Sequence, residues 1–396
     1  MTDQIPDRDD LVGRATALRE QLWTDAVEGD RDRRLTDRVF SAVTDAGLMR
    51  LMTPRRLGGY AVDMPTFLDV ITELGRGCCS AAWVTSVLNV GNFVVSLFPE
   101  AVQDQVWAQA PDASTALVLG SPRSCIERVD GGVRVSGEWP YASGSQHCDW
   151  VAVRLTSGGS DSERPVSNLV LLPVHEVDVK DTWHVAGMRG TGSGTIVIDE
   201  AFVPDERVLP LLPLLNREAD QVVDTTHRYR NCLTGVFGLS LVGPLIGGAD
   251  AALDYVQEKA PSRHIAASKY ANFTESPAFQ LDLAAAAVLL DTAKLHARRI
   301  GDTLEEEADA GGNPDWPTRA RLRMDSTLAA QRCRETIDTL LTAYGSSAFA
   351  ETNPLQRIWR DINVGSRHVA FGLGIPEMIY GRVLVGRDPR EVSYLV

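Results

Sequence analysis

The sequence predicts three units in series: an all-α unit over residues 1–113, a β-domain over 114–212 and a helical bundle over 213–396. Three observations carry this. Apolar residues in the first third recur at helical spacing, as in Phe67, Val70, Ile71 and Leu74. The middle third breaks into short runs rich in Val and Ile, divided by Gly, Ser, Asp or Pro. The last third returns to strong helix formers, as in "LDLAAAAVLLDTAKLHARR" from Leu281 to Arg299. Strands do not alternate with helices, and no GxGxxG follows a strand, so a doubly wound dinucleotide fold is not expected.

In chain order, "PRRLGGY" is a loop broken by Gly58 and Gly59. The helix after it begins at Pro65 and is expected to end near Gly75. "SAAWVTSVLNVGNFVVSLF", Ser80 to Phe98, is a second apolar helix, stopped near Pro99. The β-domain begins near Ser114 with "GGVRVSG", "DWVAVRL", "NLVLLPV", "VDVK" and "TIVIDEAFVP" as its strands, and Thr156 to Ser167 is a polar hairpin loop. Asn231 to Ala249 carries no charge and approaches the length of a membrane span, but Gly235, Gly238, Gly243, Pro244, Gly247 and Gly248 break it up. It is expected as a helix buried among other helices, its glycines allowing close approach. Glu305 to Pro317 reads as a loop, and Ile337, Leu340, Leu341 and Tyr344 share one helical face.

Composition narrows the functional classes. The 396 residues are 44% hydrophobic and carry a net charge of -14. That acidity argues against nucleic acid and against anionic membranes as partners. Six cysteines, none in a CxxC pair or a zinc-spaced Cys/His cluster, fit a reducing compartment without a structural metal. The polar, acidic stretch from Met1 to Arg14 is unlike a signal peptide, so a cytoplasmic location is expected.

Two stretches concentrate chemistry. "GEWPYASGSQHCDW", Gly137 to Trp150, ends a strand and then gathers Trp139, Tyr141, Ser143, Ser145, His147 and Cys148 around one glycine. It suits either an ordinary turn, with hydroxyls on backbone and tryptophans in the core, or the wall of a site for a flat ring. "GMRGTGSG", Gly187 to Gly194, offers four glycines with Thr191 and Ser193. It suits either a tight connection between strands or a backbone brought close to a ligand. Arg189 within it is a phosphate partner or a surface charge.

These stretches, taken in order with "LGGY", "SAAWV", "GTIVIDEAFVPDERV", "NPLQRIWRDI" and "IYGRVLVG", resemble the acyl-CoA dehydrogenase superfamily over nearly the whole chain. The nearer likeness is to its two-component flavin-dependent monooxygenases, such as 4-hydroxyphenylacetate and hydroxy-secosteroid hydroxylases. The resemblance implies an N-terminal all-α domain, a middle β-domain and a C-terminal four-helix bundle, assembled as a homotetramer. It implies reduced FMN or FAD as cofactor, O2 as co-substrate and an oxygen adduct at flavin C4a. It puts Tyr141 where dehydrogenases carry a ring-covering tryptophan, and Ser143 where they carry a hydroxyl near flavin N5. Ser145, Thr191 and Ser193 then face the cofactor, Trp183 closes the other side of the ring, and Arg189 and Arg263 meet phosphate, with Ser262 capping the helix that Arg263 begins.

Two departures from the dehydrogenase pattern bear on the reaction. The catalytic glutamate is expected nine residues after Arg360 of the Arg360–Asp361 pair; Val369 stands there, with His368 beside it. Valine accepts no proton, whereas an imidazole takes a phenol proton or orients a hydroxyl. The stretch matching the adenosine-binding motif, "TAYGSSAF", has Thr342 and Ser346 in place of its Gln and second Gly. The expected reading is the oxygenase component of a two-component monooxygenase acting on a phenol, aromatic or polyketide-type substrate. Ser143 and His368 are its catalytic residues, and Trp83, Asn92, Ser121 and His368 line its substrate pocket. Hydride reaches the flavin on a separate NAD(P)H:flavin reductase. N-oxygenation of an amine stays open, as does a dehydrogenase with a base from elsewhere, for which Glu258 and Asp254 are the candidates.

Overall fold

Capping residues set where the first helices begin. In the computed structural model, which describes residues 5–120, 123–157, 166–211, 215, 227–312, 314–393 and 395–396, the side chains of Asp7, Thr36 and Asp63 each accept a backbone N–H of the helix they precede. These helices are α1 (Arg8–Asp32), α2 (Asp37–Asp45) and α3 (Met64–Gly77); α4 (Cys79–Val95) and α5 (Glu100–Trp107) follow. Gly75 does not end α3. It lies inside the helix, where a Cβ would stand 2.9 Å from the carbonyl oxygen of Pro244, so close helix packing has claimed the glycine rather than a cap.

Two four-stranded sheets come next, in the orders β1-β4-β5-β8 and β2-β3-β7-β6. The strands are β1 (Thr115–Val118), β2 (Arg123–Val129), β3 (Gly132–Ala142), β4 (Trp150–Ser157), β5 (Val166–Pro173), β6 (Asp178–Lys180), β7 (Gly194–Pro204) and β8 (Val208–Pro210). β1 pairs with β4 in parallel, and the other pairs are antiparallel. Val135, Trp139, Val151, Val153, Leu171 and Ile196 are buried without solvent contact. Leu171 pairs with Ala152 and so lies on the opposite face from Val151 and Val153, which means that β4 and β5 are covered on both faces. β3 loses register with β7 between Trp139 and Ala142. At that bulge Tyr141 takes φ 66° and turns outward, 72% exposed.

The later α-helices among the described residues include α6 (Leu233–Lys259), α7 (Pro277–Asp309), α8 (Trp316–Tyr344), α9 (Pro354–Gly365) and α10 (Ile375–Leu384). The expected loop at Glu305–Pro317 is shorter than its composition suggested: α7 runs on to Asp309 and α8 starts at Trp316, capped by Asp315. Among the described residues one helical stretch, Leu233–Ser262, is long and apolar enough to cross a membrane, but 89% of its apolar window is buried inside the molecule. It packs on α3, α4, α7 and α8. A Cβ on Gly247 would lie 2.1 Å from the Thr72 carbonyl oxygen, so the glycines let α6 and α3 touch backbone to backbone. The apolar surface of this segment is therefore covered by its own chain. All six cysteines are free.

Candidate active site

The turn after β3 is held from below by α4. Gly144, at φ 76°, leaves no room for a Cβ beside Val84 and Leu88, and its N–H donates to the Thr191 carbonyl at 3.2 Å. That contact brings the two glycine-rich stretches together. Trp83 Nε1 on α4 donates to Ser143 Oγ at 3.3 Å. Ser143 Oγ lies 2.6 Å from Ser193 Oγ, and Ser193 Oγ lies 2.7 Å from Thr191 Oγ1. Thr191 Oγ1 donates to the Met188 carbonyl at 2.8 Å. Ser143 is half-buried, whereas Thr191 and Ser193 are each 3% exposed.

The loop that carries these hydroxyls is clasped by the Arg360–Asp361 pair. Met188 adopts φ 53°, and its N–H donates to Asp361 Oδ1 at 2.6 Å. Burial lifts the Asp361 carboxyl to about 6, against the Met188 N–H and nearby arginines, which hold it down. Arg360 grips Asp30 of α1 through two bonds, at 3.0 and 2.9 Å, and donates to the Ala186 carbonyl at 2.6 Å. Arg189 donates to the carbonyls of Asp30 and Val185, at 2.7 and 3.1 Å. Its guanidinium thus pins the loop to the end of α1. Behind the loop, Cys78, Arg357 and Asp361 line a cavity of about 10 Å³, room for a single water.

His368 follows the end of α9, its ring 5.9 Å from that of Trp83 and nearly edge-on. The imidazole is open to solvent yet crowded on its inner sides by protein, as for a side chain lining a recess. Crowding lowers its pKa to about 4; the water that reaches it opposes that shift, and the ring is neutral at pH 7 in either limit. Nδ1 accepts the Ala370 N–H at 3.2 Å, so the proton sits on Nε2, which is left as a donor. Trp183 stands edge-on to Tyr141 with ring centroids 5.9 Å apart, and its Nε1 donates to the Met188 carbonyl at 2.9 Å.

Tyr141, Ser143, Trp183, Thr191, Ser193, Trp83 and His368 are therefore linked through successive contacts. The other expected site residues lie apart from that chain. Asn92 is nine residues beyond Trp83, about half a turn out of phase at ~100° per residue. It is fully buried, donating to the Met49 and Ala113 carbonyls and to Thr53 Oγ1 at 3.1–3.3 Å. Ser145 is 2% exposed, with no partner for its hydroxyl. Arg263 does not begin a helix: it follows the short turn Ala260–Ser262 that ends α6. Its guanidinium lies 4.0 Å over the Tyr344 ring and donates to Ser347 Oγ at 2.6 Å. Ser262 donates back to the Lys259 carbonyl at 2.9 Å, closing α6 rather than capping a new helix. Ser121 lies outside the described residues. Asp254 is paired with Arg76, and Glu258 with Lys259. Sequence reasoning used Arg360 and Asp361 only as a register mark. A buried carboxylate beside a glycine-rich loop becomes recognisable only once α9 is seen against Gly187, where a Cβ would stand 2.1 Å from the Arg360 carbonyl oxygen.

The arrangement fits a flavin ring. An aromatic as exposed as Tyr141, held at a backbone angle that non-glycine residues avoid, gains little from folding and presents a flat apolar wall. Ser143 beside it offers one placed polar atom. With valine at the position of the acid, the class is that of a flavoprotein which does not abstract an α-proton there. Comparison with known proteins agrees. Residues 14–109 match the acyl-CoA dehydrogenase N-terminal domain, and residues 239–372 its C-terminal domain. The chain is 31% identical to the flavin-dependent monooxygenase oxygenase subunit HsaA of Rhodococcus jostii, over 93% of this chain and 96% of that protein. It is 28% identical to the FADH(2)-dependent resorcinol hydroxylase oxygenase component of a Rhizobium species, over 96% and 95%. The solved structure of XiaF from Streptomyces sp. in complex with FADH2 and glycerol superposes with a TM-score of 0.91, at 34% identity over 96% of each chain. The chain belongs to the acyl-CoA dehydrogenase family, within its branch of flavin-dependent monooxygenase oxygenase components.

Proposed function

We propose that this oxygenase component hydroxylates an electron-rich small molecule, a phenol or aromatic polyketide, using reduced FMN or FAD brought by a separate NAD(P)H:flavin reductase. The observation that carries the proposal is that Ser143 and His368 both contact Trp83, with valine where a dehydrogenase keeps its base. The phenolic relative supports the substrate class, as does a neutral imidazole donor facing the recess. Tyr141 and Trp183 would hold the flavin ring, and Ser143, backed by Ser193 and Thr191, would meet its N5 edge. Once bound, reduced flavin supplies the activation of O2: two electrons place one oxygen atom on the substrate and leave the other as water.

The residues of the chain do the rest. The Nε2–H of His368 orients a substrate oxygen, and the Trp83 indole fixes Ser143. The Asp361 clasp keeps the loop shut against α9, so that water is kept from the reacting face. FMN is proposed to serve as well as FAD, because Thr342 spends its hydroxyl on the Asp338 carbonyl and Arg263 is engaged with Tyr344 and Ser347. A cytoplasmic enzyme is proposed because all six cysteines are free, as a reducing compartment keeps them. The test is a product screen with a flavin reductase, NADH and FMN against phenols, polyketide quinols and amines. A hydroxylated phenol or quinol supports the proposal. Oxygenation of amines alone, or peroxide alone with every compound, overturns it.

A further inference from the structure

We infer that Ser193 and Thr191 select the redox state of the flavin that this site holds. The inference rests on the reading of the recess as a flavin site and adds a role for side chains buried behind it. Both ends of the hydroxyl chain have fixed polarity. An indole N–H only donates, so Ser143 Oγ accepts from Trp83. A carbonyl only accepts, so the Thr191 hydroxyl proton is committed to Met188. Thr191 Oγ1 must then accept from Ser193, and Ser193 Oγ must accept from Ser143. All the hydroxyl protons run one way, away from the recess. What remains on half-exposed Ser143 is a lone pair. Toward a bound ring Ser143 is therefore an acceptor, which matches the N5–H of reduced flavin and opposes the bare N5 of the oxidised ring.

The preference can be counted. With reduced flavin the chain makes all four of its own bonds, and N5–H adds a fifth. To donate to an oxidised N5 the chain must reverse. Thr191 then gives up the Met188 carbonyl, which keeps its N–H donors from Trp183 and Thr191, and the total falls by one. One net hydrogen bond corresponds to about fivefold in affinity.

Binding decides this, without turnover. Dissociation constants for FMN are measured aerobically in the oxidised form and anaerobically in the photoreduced form, for the full-length protein and three variants. Ser193→Ala frees the Ser143 proton to turn toward the ring. Thr191→Val removes the terminal donor, so that either direction costs the same. Each is expected to reduce the ratio of oxidised to reduced dissociation constants by about fivefold, equivalent to a fall of about 20 mV in the midpoint potential of bound flavin. Thr191→Ser keeps the hydroxyl and should keep the ratio. If Ser193→Ala and Thr191→Val weaken both forms alike, or leave the ratio unchanged, the residues are merely structural and the inference fails while the flavin site stands. If the wild-type protein binds neither form, the flavin reading fails and takes the inference with it.

Discussion

His368 carries the sharpest claim about a single residue. Its Nδ1 is occupied by the Ala370 N–H, and the surrounding protein disfavours the imidazolium. It is placed to donate to substrate rather than to collect a proton. His368→Ala is expected to lower product formation at least about tenfold while flavin still binds, with the lost product appearing as hydrogen peroxide. His368→Gln, which keeps an N–H donor, should retain more product than His368→Ala; equal losses in the two variants would argue for a base. The pH dependence follows from the same shift. A group with its pKa lowered loses its charge below the usual histidine value of about 6.5, so any limb of kcat that belongs to His368 should lie on the acid side of that value. A limb near 6.5 in the wild-type pH profile that disappears in His368→Gln would contradict the account. At this scale the residue types were legible and their partners were not. Ser143, Thr191 and Ser193 stand out in sequence because hydroxyls cluster among glycines. Arg189 stood out within the glycine-rich stretch, and Arg263 and Asn92 through the family resemblance, yet local geometry commits them to the Asp30 and Val185 carbonyls, to the Tyr344 ring and to the core.

At the scale of elements, the glycines of α3 and α6 do opposite work from glycines that end helices. Gly247 faces the Thr72 carbonyl oxygen, and a methyl group there would force α6 away from α3. Gly247→Ala should destabilise by roughly 1–3 kcal/mol or more, as overpacking does, visible as a lower Tm. Gly13 in α1 has open space where its Cβ would go, so Gly13→Ala should be neutral or stabilising by up to ~1 kcal/mol. Equal effects on Tm would mean that α3 and α6 are less closely packed than described. The helices themselves were readable from periodicity and caps. Their ends were not, because Gly75 and Gly247 carry the same sequence signal whether they end a helix or face another. β1, β2 and β8 also escaped the sequence. "TALV", "SCIERV" and "VLP" are too short or too mixed with charge to show alternation, and their pairing with β4, β3 and β5 supplies the order that composition lacks.

Across the whole molecule, the charge-free segment inside α6 is covered by α3, α4, α7 and α8 of its own chain. The apolar surface left uncovered lies elsewhere. Leu281, Val288 and Leu295, seven residues apart on one face of α7, are 72%, 67% and 64% exposed. We propose that the homotetramer implied by the family resemblance buries this stripe, with the C-terminal helices at its centre. Light scattering should return four chains for the wild type and a smaller species for Val288→Glu, which sets a charge in the middle of the stripe; a monomeric wild type would remove the proposal. The succession of α, β and α units was legible from hydrophobic period alone, whereas the joining of β3, the Gly187–Gly194 loop, α4 and α9 into one recess needed the tertiary structure.

The central claim, that this chain transfers oxygen with borrowed reduced flavin, is tested most directly by isotope. Photoreduced FMN is mixed with the protein and a phenolic substrate under 18O2, with no reductase and no nicotinamide present. The account predicts a hydroxylated product carrying one 18O atom, formed in a single turnover limited by the reduced flavin supplied. Product oxygen derived from water, or peroxide as the sole oxygen product with every phenol and quinol tried, would contradict it.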